Sequence, residues 1–104
     1  FVEAAQRRQL SGGGALGVVT KLRAGDGAPQ GTFAVGSSPS GVAFDGTNIW
    51  VAGGSSTSGT VTKLLASTGA VQGTFAVGSS PSGVAFDGAN IWVANDGSSN
   101  VSKF

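Results

Sequence analysis

The sequence predicts an all-β chain of β-propeller-type repeats, four-stranded antiparallel blades at about two and a quarter per chain, and three observations lead there. Residues 31–52 recur as residues 73–94 with one difference, Thr47 against Ala89. The period of forty-two matches one propeller blade, and both copies read GTFAVGSSPSGVAFDG before TNIWVA or ANIWVA. Short apolar runs of Val, Phe, Ile and Trp alternate with Gly, Ser and Asp-Gly signals, which is the punctuation of strands and turns.

The chain divides into residues 1–17 and the repeat region 18–104. Residues 1–10 (FVEAAQRRQL) favour a helix, but an isolated helix this short is marginal in water. The segment therefore reads either as a tail or as a short helix that docks on a partner, with residues 11–14 as a Gly-rich joint. Nine strands follow, near 18–22, 31–35, 41–45, 48–52, 60–64, 73–77, 83–87, 90–94 and 100–104. With GVAFD named A, NIWVA named B, VTKL named C and GTFAV named D, the chain runs C-D, A-B-C-D, A-B-C.

The connections agree with that order. Asp45-Gly46 and Asp87-Gly88 lie between A and B, where glycine supplies the positive φ of a tight hairpin. Pro39 and Pro81 precede the A strands, where a missing N–H breaks no ladder bond. Strand B is a continuous apolar run, Ile49-Trp50-Val51-Ala52, which implies burial on both faces. Strand C carries Lys21, Lys63 and Lys103 in alternation, as suits an outer strand whose charges discourage unwanted pairing.

Trp92-Val93-Ala94-Asn95 resembles the motif that names the YVTN β-propeller repeats. The flanking SSPSGVAFDG and VTKL strings are similar to those repeats and to the streptogramin-lyase-like propellers, over about residues 18–104. The resemblance implies blade architecture and leans towards an extracellular or cell-surface setting. It does not carry over lyase activity, because that activity uses a His-containing site and this chain has no His.

Composition narrows the chemistry further. The hydrophobic fraction of 39% is enough for a core, while the net charge of +1 leaves the repeat region without a basic stripe for nucleic acid. There is no Cys, so disulfides and thiolate metal sites are excluded. No apolar run approaches the roughly 20 residues of a membrane-crossing helix, so no membrane partner is expected. The order of charges and apolar residues at the amino terminus is not that of a signal peptide, and an opening at Phe1 suits a processed chain or a piece of a longer one.

Without His or Cys, no Ser–His or Cys–His nucleophile can form, and no enzyme activity, catalytic residue, cofactor or metal site is expected. Asp45 and Asp87 are explained by their hairpin turns rather than as a hydrolytic pair. Phe33, Phe44, Phe75 and Phe86 are expected in the core, and Trp50 and Trp92 between blades. The candidate ligand-binding residues are the repeated polar positions Ser38, Ser80, Asn48 and Asn90, together with Trp50 and Trp92.

Two blades cannot bury their own stacking faces, and three or more repeats are normally needed. The expected partner is therefore another copy of the chain, in a head-to-tail homo-oligomer or filament. Strand exchange is the expected mode, the leading C-D of one chain supplying the strand D that the trailing A-B-C of another lacks. The expected function is a non-enzymatic, self-assembling structural module. The alternatives are a propeller module that binds a small ligand or glycan, and a fragment of a larger YVTN-like propeller protein.

Overall fold

Three antiparallel sheets, each a meander in which chain neighbours are also sheet neighbours, stack one behind another. The computed structural model describes residues 2–9, 15–23, 25–36 and 38–104, with side chains described from residue 17 onward. The first sheet holds β1 (Val2–Gln9), β2 (Ala15–Leu22) and β3 (Pro29–Val35). The second holds β4 (Pro39–Phe44), β5 (Asn48–Gly54), β6 (Gly59–Leu65) and β7 (Val71–Val77). The third holds β8 (Pro81–Phe86), β9 (Ile91–Asn95) and β10 (Asn100–Lys103), with one 3-10 turn at Asp96–Ser98 between the last two.

Each of the nine strands expected from sequence has its counterpart in β2–β10. The tenth, β1, corrects the reading of the first residues as a tail or short helix. Val2–Gln9 pairs antiparallel with β2 in unbroken register, from Val2 opposite Leu22 to Gln9 opposite Ala15. Helix propensity is a weak prior, and here the open edge of β2 offers eight residues a hydrogen-bonding partner that an isolated helix lacks. The first sheet thus has a strand in the place that β5 takes beside β6. The expected joint at residues 11–14 lies outside the described residues.

Two apolar clusters hold the stack together, and the two sides of β5 feed one each. Ile49 and Val51 join Val19, Leu64 and Ala66 between the first and second sheets, with Phe33, Val35 and Val42 packed around them. Trp50 and Ala52 join Val61, Ile91 and Val93 between the second and third sheets, with Val77 and Val84 alongside. Strand C splits in the same way: Val61 faces the third sheet and Leu64 the first. The expectation of burial on both faces therefore holds for β5, where Ile49 through Ala52 are all buried.

It does not hold for the identical run in β9. Ile91 and Val93 are buried at 3% and 0% exposure, but Trp92 is 37% exposed. The described residues supply no fourth sheet behind the third, so only one side of β9 is covered. Phe44, Phe75 and Phe86 also correct the sequence expectation of core phenylalanines, being exposed by 52%, 38% and 38%. Phe33 packs against the first buried cluster, and Phe75 reaches the second only by stacking on Trp50 while staying partly exposed.

The sheets approach most closely along their first strands, β4 against β8. A Cβ on Gly41 would lie 3.2 Å from both the Gly83 Cα and the Val84 nitrogen, so this tight crossing favours a residue without a side chain. Pro39 and Pro81 each stand as the first residue of their strand and the register shifts just after them, at Pro39/Gly41 and Pro81/Gly83.

Candidate functional site

At one end of the sheets, each Asp-Gly turn is tied to a tryptophan. Gly46 and Gly88 have φ of 102° and 101°, the positive values expected at the first central position of a hairpin turn. The Asp45 N–H donates to the Asn48 carbonyl at 3.0 Å, while Asp45 Oδ1 accepts from the Thr47 and Asn48 N–H groups at 2.9 and 2.7 Å. Oδ2 of the same carboxylate accepts from the Trp50 indole N–H at 2.9 Å. The second copy repeats every bond: Ala89 and Asn90 donate to Asp87 Oδ1, and the Trp92 indole donates to Oδ2 at 2.7 Å.

The strand-C lysine completes the group. Lys63 stands directly across from Trp50 with Nζ 5.2 Å from the ring centroid, and Lys103 across from Trp92 at 5.1 Å. At that range a cation adds about 0.5–1 kcal/mol where the site is exposed and more where it is dry. Beyond this shared set, Trp50 stacks with Phe75 at 6.0 Å and with Phe104 at 6.3 Å. Phe75 and Phe104 lie 5.6 Å apart, so the third sheet closes an aromatic cluster over the second.

These donors also set the acidity of the two carboxyls. Burial pushes Asp45 up, but the Trp50 indole and the backbone N–H groups of Asn48 and Thr47 outweigh it and hold the carboxyl at about 2. In Asp87 the Trp92 indole is the largest influence, followed by the Asn90 and Ala89 N–H groups, and the carboxyl lies well below the usual range. Both are firmly ionised structural acceptors. A general acid at neutral pH needs the opposite shift, so their chemistry is to brace the turn and orient the indole.

At the other end of β4 and β8, the Ser-Pro-Ser segments border an open basin of about 450 Å³. Ser38, Ser40, Ser55, Ser56, Ser80 and Ser82 line it with Asp96, and Pro39, Pro81 and Gly54 form the remainder. Ser38 and Ser80 hold φ of 49° and 48°, left-handed values that cost a non-glycine residue roughly 1–2 kcal/mol. On the Ser80 side the backbone is clamped: Ser80 N–H donates to the Ser55 carbonyl at 2.7 Å, and Asp96 N–H to the Ser80 carbonyl at 3.0 Å. The Ser40 hydroxyl bridges sheets by donating to the Pro81 carbonyl. Such a surface offers hydroxyl and carboxylate hydrogen bonds to a polar ligand.

The structure therefore separates the six candidate binding residues. Ser38 and Ser80 line the basin; Trp50, Trp92, Asn48 and Asn90 belong to the Asp-Gly end, across the length of β4 and β8. Trp50 is buried at 8% exposure and unavailable to a ligand, whereas Trp92 is open. Ser55 and Ser56 were not singled out from sequence, because they lie in a B–C segment that differs between copies. The Asp–Trp bond was missed as well, although its signal was present in the five-residue spacing of Asp45 to Trp50 and Asp87 to Trp92.

The fold and this geometry define an all-β chain of stacked antiparallel sheets with one apolar sheet face left open. No protein-family model matches the sequence. No curated protein matches it either.

Proposed function

We propose that the three sheets are blades of a propeller-type assembly and that the chain is a non-enzymatic, self-assembling subunit joined head to tail to further copies. One observation carries this reading: the Trp92 side of β9 repeats the Trp50 side of β5 in sequence but not in burial. Around Trp92 the exposed surface continues through Val101 at 58% and Lys103, the positions that Val61 and Lys63 occupy in the covered copy. A contiguous apolar face of that kind marks an interaction site. The likeness of residues 92–95 to the YVTN repeats supports blade architecture.

Three sheets per chain change the arithmetic of closure. Two copies supply six sheets and three supply nine, and propellers usually contain four to eight. A two-copy ring is thus the favoured closed form, and a contact whose rotation does not close gives a filament. Light scattering across a dilution series tests the reading. Mass at twice the chain or above, falling on dilution, is expected; a folded chain that stays monomeric at every concentration overturns it.

The serine-lined basin favours a second role, binding of a polyhydroxylated ligand such as a glycan in the assembled form. Glycan-array binding that is lost on Ser38→Ala and Ser80→Ala would support it, and the absence of any binding would remove it.

A further inference from the structure

The two sheet-to-sheet contacts within the chain are built on one plan. From the earlier sheet come the strand-C valine and the strand-D apolar residues: Val19, Phe33 and Val35 in the first contact, Val61 and Val77 in the second. From the later sheet come the two strand-B residues of the other parity, Ile49 and Val51 or Ile91 and Val93. The last residue of strand C in the later sheet is the lid. Leu64 shares the first cluster with Val19 and Phe33, and Phe104 stacks on Trp50 and Phe75 in the second contact.

Of the earlier-sheet half the third sheet presents the strand-C valine, Val101, without a strand D; Trp92, Ala94 and Lys103 stand beside it, all exposed, with no further sheet against them among the described residues. One member of the matching half, the strand-C lid, also exists on this chain. In the first sheet Val19 is buried towards the second sheet, so Leu22, at the position of Leu64 and Phe104, lies on the opposite side of the sheet and is only half-buried.

We infer that a second copy closes the Trp92 face by laying its β1–β2–β3 sheet flat against it, its Leu22 over Val101 as Leu64 lies with Val19. The inference rests on the self-assembly reading and specifies its contact as face stacking rather than strand exchange. Two features decide between these modes. Both edges of β2 are already hydrogen-bonded, to β1 across eight residues and to β3 across the hairpin, so lending β3 to β10 would dismantle a formed sheet. β10 itself is four residues long with Lys103 at its end, a short, charged edge of the kind that resists strand addition.

Val101 is the position to test, because at 58% exposure it contributes little to the fold of a single chain while its counterpart Val61 is fully buried. Val101→Glu should keep the circular dichroism of the parent and abolish the oligomer in light scattering. The chain has no cysteine, so oxidising a mixture of Val101→Cys and Leu22→Cys chains should give a mixed disulfide dimer, as neither chain does alone. If Val101→Glu still assembles and no mixed disulfide forms, face stacking is overturned while self-assembly stands. If the parent chain is monomeric throughout, both fall together. Should Val101→Glu prove unfolded, the mixed disulfide decides alone.

Discussion

Strands β5 and β9 contain the same four residues, Ile-Trp-Val-Ala, in the same turn and opposite the same lysine, yet one is buried on two sides and the other on one. What differs is position in the stack. The second sheet has a neighbour on each side, and the third has one only among the described residues. Local chemistry survives the difference intact: the Asp–indole bond and the lysine over the ring are present in both copies. Stacking, by contrast, does not follow from local sequence. A repeat can encode its own hairpin completely and still leave half of its burial to whatever comes next.

The largest expected effect is at the two tryptophans. Trp50→Ala removes a buried indole and its stacking on Phe75 and Phe104, a loss of about 3–5 kcal/mol by analogy with core aromatics. Trp92→Ala, in the dilute single chain, should cost at most about 2 kcal/mol, since its outer face is already wet. Denaturant unfolding of both variants measures the gap. Equal losses would mean that the second copy is as enclosed as the first, and the comparison would collapse. At concentrations where chains assemble, the Trp92 loss should grow towards that of Trp50.

The glycines of strand A give a smaller contrast. Gly41→Ala drives a methyl into the backbone of Gly83 and Val84, and about 1–2 kcal/mol of destabilisation is expected from the overpacking. At Gly83 a Cβ meets nothing within 4 Å, so Gly83→Ala should be neutral or gain about 0.5 kcal/mol by restraining the unfolded chain. The sign of the difference is read directly from paired unfolding curves.

Acid gives a third handle. Both carboxyls are lowered by folding, so the stability they supply is full above about pH 4 and is lost as the pH falls through their folded values. Asp45 should titrate near 2 and Asp87 below it, because burial opposes the lowering more strongly at the enclosed copy. Carboxyl carbon chemical shifts resolve the order. Covering Trp92 by assembly should raise Asp87 towards Asp45; an Asp87 that stays put on assembly argues that the Trp92 turn is not at the contact.

Nine of the ten described strands, their turns and the first-strand prolines were legible because they depend on local rules repeated twice. Val2–Gln9 was not, because its residues favour a helix and only the edge of β2 makes a strand of them. An open stacking face was legible from the number of repeats, but which of the two tryptophans it exposes was not, since identical residues cannot announce different neighbours. The basin was half legible: Ser38 and Ser80 are repeated, while Ser55, Ser56 and Asp96 reach it only through the stacking of sheets.

The smallest effect is expected where the copies differ in sequence, at Thr47 and Ala89. The Thr47 N–H donates to Asp45 and its carbonyl accepts from the Ala66 N–H at 3.0 Å, both backbone bonds that alanine can make. Its side chain is exposed, so Thr47→Ala and Ala89→Thr should each change stability by less than about 0.5 kcal/mol. Together they exchange the sequences of the two repeats while leaving each in its place. In Trp50→Phe and Trp92→Phe backgrounds, which leave one indole each, acrylamide quenching should still find residue 50 shielded and residue 92 open. If the exchange reversed that order, burial would follow the sequence of the repeat and not its rank in the stack. If the order holds, the open face belongs to the position, and any repeat placed last would present it.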